Sequence, residues 1–514
     1  TFENCSLRGV RANVSATAVA AASLGIAIHA YSHVSSTVVF RTIRIQCEEQ
    51  CVATAVGITS AAIGVASYGY GSGSVVDVSD VQLTVLDQSF VSVNSTGGAI
   101  DGVFACAGLA LVGTSHVSNV LVLVSGGVLM SVTITGYLIT ASCASVVASY
   151  ATGNSTVDNV TIAVSGSRVS MLSDGGRLAA GAVIVHSETT RGVACLARSI
   201  TIVVTNGTVL NGTGDLQSIV ATAGVVVSGF ARLTSVESCF LSIADSQVQQ
   251  ASSRGGDACA VGVIAIAGTA WANGSFLVTD LTIRIGDGAI VDAGRVDART
   301  AASAAVIGFS FAYMSISDAT IQSSGTSSSA APRAVAIGNV VVAAMGIGCM
   351  GPNQDTELTV RGMLLSASQG TLVSASATAT GLVAAALGIA MRFADGNANQ
   401  RLTLSDSYLV ASGSNTRVIA LAKDGASAAG VVLYAYNHGF PFTNVTNSAF
   451  IVRDGATVLA TATVQSGAAA AVGLVACNYQ CDGNHVTNST FHVSHRANVT
   501  STGGCAAASV AIAV

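Results

Sequence analysis

The stretch VSDVQLTVLD (residues 78–87) decides the fold, because it returns as VSNVLVLVSG (117–126), VDNVTIAVSG (157–166) and ARSITIVVTN (197–206). Each copy sets a polar residue before alternating Val, Ile, Leu or Thr and closes on Ser, Gly, Asp or Asn. Alternation with a period of two sends successive side chains to opposite faces of a strand. Further copies are VTDLTIRIGD (278–287) and ISDATIQSSG (316–325). The polar markers are Asp80, Asn119, Asn159, Ser199, Ser238, Asp280 and Asp318, with weaker copies near Asn4, Thr42, Glu357, Arg401, Asn444 and His485. Their spacing stays between 38 and 44 residues. Late in the chain, VTNSAFIV (445–452) and VTNSTFHV (486–493) agree at six of eight positions, 41 residues apart.

Between markers lies a second element of small residues, usually with a Gly, followed by an apolar run: AAIGVASYGY, CAVGVIAIAG, AAGVVLYAY. Its glycines include Gly25, Gly64, Gly102, Gly181, Gly224, Gly262, Gly338, Gly381, Gly430 and Gly473. The two elements keep one order throughout, so each unit reads as one circuit of chain and not as an independent domain. The expected fold is all-β: a parallel β-helix, or β-solenoid, of about thirteen coils of about forty residues. Inward Val, Ala and Ile would stack on their counterparts in the next coil, and the Gly/Ala element would mark a tight corner or a close approach of strands. A β-propeller has a similar period, but thirteen units and a single tryptophan, Trp271, disfavour it.

Composition points the same way. Hydrophobic residues make up 51% of the 514, yet only 9% are charged and 5% aromatic, with 55 Gly and three Pro. Helix formers are scarce and β-branched residues abundant. The net charge is −5 and no run of Lys or Arg could track phosphates, which excludes nucleic acid as an expected partner. The apolar windows 334–350 and 377–391 are Gly-, Ala- and β-branched-rich and recur with the repeat, so they read as doubly buried strands and not as membrane spans. Residues 1–514 are expected to form one continuous solenoid, a segment of a longer chain, since neither an initiator Met nor a signal peptide opens it.

Eleven asparagines stand in Asn-x-Ser/Thr acceptors: Asn4, Asn13, Asn94, Asn154, Asn159, Asn206, Asn211, Asn273, Asn444, Asn488 and Asn498. Their number, and their clustering in turns and at strand starts, point to N-linked glycans and an extracellular or cell-surface location. Twelve cysteines suit an oxidising compartment. Cys47/Cys51 and Cys477/Cys481 are spaced for small local disulfides. Cys106 and Cys143 lie one period apart and would be vertical neighbours within disulfide reach; Cys195 with Cys239 is a weaker case. Cys5, Cys259, Cys349 and Cys505 read equally well as buried thiols.

No catalytic constellation emerges. Asp77, Asp80, Asp87, Asp101, Asp158 and Asp174 are isolated, and Glu48/Glu49 and Arg284/Asp287 are the nearest approach to clusters. His485, His492 and His495 gather near one end, but the last two are three apart and cannot share a strand face. The NHGF at Asn437 lacks the companion motifs of a polygalacturonase. No metal, cofactor or catalytic residue is expected.

Units such as VDNVTIAVSGSRV and TNVTNSAFIV, with their Ala/Gly partners and many acceptors, resemble the dispersed gene family surface proteins of trypanosomatids and their bodonid relatives. That resemblance, one of texture along the whole chain, implies a cell-surface glycoprotein with a pectin-lyase-like helix and an adhesive or coat role. The expected function is an extracellular structural glycoprotein: a rigid solenoid rod in a coat, appendage or fibril, continuing or stacking end to end as a homo-oligomer or polymer. Alternatives are a glycan-binding adhesin and a polysaccharide lyase or hydrolase.

Overall fold

Val117 shows how the alternation becomes structure. Its strand, Thr114–Ser125, pairs in parallel with Val75–Leu86 on one side and Ser155–Ser165 on the other, so Val117 lies between Val78 and Val157. Val122 lies between Leu83 and Ile162, and Ile162 continues to Ile202. All these inward side chains are buried, so the core is built of ladders of like side chains one strand spacing apart.

The computed structural model describes residues 1–18, 22–32, 36–57, 59–69, 73–95, 103–134, 140–173, 176–187, 193–214, 218–229, 233–251, 256–267, 274–294, 298–309, 312–325, 331–351, 356–377, 382–393, 399–435, 440–464, 467–477, 484–503, 506–510 and 512–513. Among them every element is a strand, and no helix is long and apolar enough to cross a membrane. The fold is a parallel β-solenoid with three walls per coil. The coil opening at Thr114–Ser125 continues through Leu129–Ile134 in the second wall, then Thr140–Cys143 and Val146–Ala151 in the third.

The chain divides into two compact units, one of 1–231 with 239–259 and the other of 232–238 with 260–514. The second wall has seven strands in the first unit, from Asn13–Thr17 to Gln247–Ala251, and six in the second, from Ile290–Ala293 to Asn498–Thr502. Full turns nevertheless come to about ten, fewer than the thirteen units of the sequence. The outermost units are incomplete, with first-wall pieces as short as Phe2–Glu3 and His485–Thr487.

The polar marker has a backbone role that its polarity conceals. Asn4, Thr42, Asp80, Asn119, Asn159, Ser199, Ser238, Asp280 and Asp318 all adopt φ between 51° and 56°. This left-handed conformation bends the first wall, and short side chains such as Asn and Asp tolerate it best. Later coils carry the bend at Gly362, Asp406, Asn447 and Asn488, three or five residues beyond the positions read from the sequence. There a polar residue also opens the strand before the bend, and alternation alone does not separate the two. The amides form a ladder along the bend: Asn119 Nδ2 donates to Asp80 Oδ1 (3.0 Å), Asn159 Nδ2 to Asn119 Oδ1 (2.7 Å) and Asn447 Nδ2 to Asp406 Oδ1 (3.2 Å).

The next corner, between first and second walls, is held by a hydroxyl. Thr208 Oγ1 donates to the Thr205 carbonyl (2.6 Å), Thr371 to Ser368 (2.6 Å) and Thr416 to Ser412 (2.8 Å), and Ser89 does the same for Leu86.

The third wall explains the small residues. It folds back on itself, so that residues nine apart in one coil meet, as Thr140 Oγ1 meets Ser149 Oγ. Side chains on both faces are therefore buried. The fold encloses a second, narrow core: Ala61, Ala66, Tyr68, Ala110 and Val112 in the first unit, and Val432, Ala468, Ala470, Val475 and Ala508 in the second. At the apex backbones pass close together. Ile389 N–H donates to the Gly430 carbonyl and Val431 N–H to that of Gly473, each within 2.9 Å, and a Cβ on Gly430 would press into the Gly473 carbonyl. The apex column includes Gly64, Gly430 and Gly473, as the repeat implies, and also Gly108, Gly346 and Gly388. Gly338 instead ends the second-wall strand Arg333–Gly338, and Gly102 and Gly381 lie outside the described residues.

Candidate functional site

The acceptor asparagines are the functional candidates that the fold presents most openly. Ten of the eleven are described: Asn273 lies outside, nine are exposed, and Asn444 is half-buried. Asn13, Asn94, Asn211 and Asn498 stand on outward positions of the second wall, where alternation turns Val14, Val93, Leu210 and Val499 inward. Asn4, Asn159 and Asn488 occupy the left-handed bend and Asn206 the next corner. Asn154 sits at the entry to Ser155–Ser165, its Oδ1 accepting the Ala194 N–H at 2.8 Å.

Of the cysteine pairs, Cys47–Cys51 is a disulfide. Strand register places Cys51 beside Ser89 and Cys47 beside Val85, so the bridge holds its corner where a hydroxyl does so in the next coil. Cys106 and Cys143 are direct partners in register, as one period of spacing requires; the Cys106 side chain is outside the described set. Cys477 lies at the end of Leu474–Cys477, and Cys481 lies outside the described residues. The Cys195–Cys239 pairing is not made. Cys195 is a buried thiol four residues before the bend at Ser199, whereas Cys239 follows the bend at Ser238, so they occupy different places in their coils. Burial pushes the Cys195 thiol up to about 12 and does the same to Cys349, and it raises Cys259 as well. These thiols are poor nucleophiles. Cys5 is a half-exposed thiol, and Cys505 lies outside the described residues.

Of the described titratable residues singled out in the sequence, Glu49 and Asp87 come to one groove. Asp80, Asp87 and Asp158 are exposed and Asp77 half-exposed on outward positions; Asp101, Asp174 and Asn437 lie outside the described residues. Glu48 and Glu49 pair with Arg8 and Arg11, each at 2.9 Å. Together with Gln50, Asp87, Gln88 and Gly126, Arg11 and Glu49 line a shallow groove of about 570 Å³ along the corner. His485 stacks obliquely on Phe442 (5.8 Å between ring centres), His492 is in register with Ile451, and His495 lies 3.7 Å from Asp454. Among the described residues no three His, Cys, Asp or Glu side chains gather as a metal site.

The sequence did not signal two buried polar arrangements of the third wall. Arg177 Nη2 lies 2.6 Å from His186 Nε2, and His186 Nδ1 lies 2.8 Å from Ser228 Oγ. Burial, and then the Arg177 charge, push His186 well below the usual imidazole range. The ring is therefore neutral: Arg177 donates to Nε2, and Nδ1–H donates to Ser228. In the second unit Arg392 Nε pairs with Asp424 Oδ2 at 3.1 Å, with 14% and 8% of their side chains exposed. Burial raises the Asp424 carboxyl, and Arg392 and Lys423 oppose the shift. Both arrangements fill polar positions of a wall built mostly of small and aliphatic residues, and in each the buried titratable group has a partner. Spacing in the sequence gives no hint of this: the partners are 9 residues apart in the first arrangement and 32 in the second.

No protein-family model, no curated protein and no solved structure matches the chain.

Proposed function

We propose that the chain is an extracellular structural glycoprotein, a stiff β-solenoid scaffold of a cell-surface coat, appendage or fibril. One observation carries the reading: nine of ten described acceptor asparagines are exposed, although half of the chain is hydrophobic and most of its side chains are stacked inward. The corner disulfide supports an oxidising compartment. The texture shared with the trypanosomatid and bodonid surface proteins supports the same location. Stacking of copies end to end belongs to the proposal.

The test is secretion of the chain from a eukaryotic host, followed by site mapping in which glycan release converts occupied Asn to Asp. Sugar on most of the exposed acceptors is the expected result. Retention in the cytosol, or unmodified Asn at all of them, would sink the proposal.

A glycan-binding adhesin is the second reading. It is favoured by aromatic and basic groups on the outer first wall of the second unit, where the Arg401 guanidinium lies 5.4 Å from the Phe442 ring centre and Tyr408 is 51% exposed. A glycan array without binding above background would remove it.

A further inference from the structure

The second wall of the second unit inverts the usual distribution of size. In Arg333–Gly338 the inward residues are Ala334, Ala336 and Gly338, and the outward ones Arg333, Val335 and Ile337. In Arg417–Ala422 Val418, Ala420 and Ala422 point in, and Arg417, Ile419 and Leu421 point out. Leu372 and Leu459 also face outward from their strands. Register aligns Val335, Ser374, Ile419 and Leu459 in one column and Ile337, Ser376, Leu421 and Thr461 in the next. The result is an aliphatic sheet face on four successive coils. Its only charges on these columns and the one beside them are Arg333, tied to Asp292 at 3.2 Å, and Arg417.

On these four coils the second wall carries no acceptor; Asn498 stands on the coil after them, in register beside Thr457. Between Asn273 and Asn444 the sequence has no Asn-x-Ser/Thr triplet, and the aliphatic columns fall within or just beyond that window. The same wall of the first unit carries outward acceptors at Asn13, Asn94 and Asn211, beside its own exposed Phe90, Leu129 and Leu172. Apolar residues thus stand among acceptors on the first unit's wall, whereas that of the second has none on these four coils.

We infer that the bare face, centred on Ser374 and Ile419, is a lateral contact between copies of this chain. Two features select a second copy as the occupant. The first is spacing: rows of side chains recur every ~4.8 Å along a parallel solenoid, and only a surface with the same repeat interdigitates with them row for row. The second is area. Four coils of six-residue strands present roughly 400 Å², well below the ~800 Å² per partner of a stable standard-sized complex. One such contact is weak, and it becomes effective where many copies stand side by side and engage repeatedly. The inference rests on the proposed coat role for that crowding and on glycosylation for the meaning of the acceptor gap; the aliphatic face itself depends on neither.

The experiment is sedimentation equilibrium of the full secreted chain over a wide concentration range, wild type against three substitutions. Ser374→Asn creates an Asn-Ala-Ser acceptor with Ser376 and sets a glycan at the centre of the face. Ile419→Arg places a charge there without touching the core. Leu172→Arg alters an exposed apolar site of the first unit, 51% accessible, as the control. The expected result is reversible self-association of the wild type and of Leu172→Arg, with the dissociation constant raised at least ~10-fold by either other substitution. A wild-type chain that stays monomeric at every concentration overturns the inference, as does association indifferent to both Ser374→Asn and Ile419→Arg. Circular dichroism of each variant separates a blocked contact from a failure to fold. Association sensitive to Ile419→Arg in a chain whose natural acceptors prove bare would uphold this contact while the glycoprotein reading fails.

Discussion

Acidification should loosen the first unit through His186. The folded protein holds this imidazole neutral, since Nε2 accepts from Arg177 and burial disfavours a second positive charge. Once unfolded, the ring regains an ordinary value near 6.5. The folded pKa is therefore depressed, the unfolded chain binds more protons below about 6.5, and stability present above that pH is lost as pH falls. Each pH unit between the unfolded and the folded value removes about 1.4 kcal/mol per such group, so lowering the pH from 7.5 to 5.0 removes at most about 2 kcal/mol through His186 alone. Carboxylates titrating in the same range complicate the raw curve. Asp292 and Asp424, which burial raises, work in the opposite direction, because their folded forms hold protons more tightly. The comparison with His186→Gln removes them: the amide can accept from Arg177 and donate to Ser228 but does not titrate. Urea denaturation followed by far-UV circular dichroism at both pH values measures the difference. The wild type should lose more stability than His186→Gln over the interval, by up to about 2 kcal/mol. Parallel losses would mean that the ring is not held neutral by this contact, and the reasoning would be wrong.

The stacked ladders predict a sharp inside–outside contrast. Ile162→Ala, buried between Val122 and Ile202, should cost about 3–4 kcal/mol, whereas Thr161→Ala on the outward face of the same strand should stay within about 0.5 kcal/mol. Similar costs for both, in chemical denaturation, would refute the assignment of faces. At the apex of the folded-back wall, Gly430→Val should destabilise by about 3 kcal/mol or prevent folding, since its side chain meets the Gly473 backbone; a neutral result would show that the strands can separate there. The corner disulfide closes a short loop, so its constraint on the unfolded chain is worth about 2 kcal/mol. Replacing Cys47→Val together with Cys51→Ser copies the Val85 and Ser89 of the neighbouring coil, and should lose no more than that by the same denaturation assay. A much larger loss would mean that the hydroxyl cannot take over the corner.

What was legible in this chain follows from which interactions are local. Alternation at Val117, Val122 and Ile162 reports one strand's two faces, and the steady period reports that strands from successive units lie side by side, so the parallel solenoid could be read directly. Surface acceptors were legible for the same reason: nine of ten fall on outward or turn positions set by that alternation. The marker was seen but misread. A polar residue before an apolar run is compatible with a strand start, and nothing in its identity announces φ near +55° in the middle of a wall. Hence the weaker markers at Glu357, Arg401, Asn444 and His485, which follow polarity alone, fall three or five residues before the bends. The folded-back third wall was the larger omission. Its small residues were recognised as a place of close approach, but two layers of one strand pair lining a second core, as Ala468 and Val475 do with Val432, leave no periodic trace, since both faces are buried and both are apolar. Arg177 and His186 show the consequence: nine residues apart, they are unrelated in any strand or helix period and become partners only because the wall turns back at its small-residue apex. The same geometry that hid them makes the wall tolerant of polar pairs, since a mouth closed by Thr140 and Ser149 in one coil is closed by Arg177 and His186 in the next. Chemistry in this fold is therefore found by superposing coils, not by scanning for motifs.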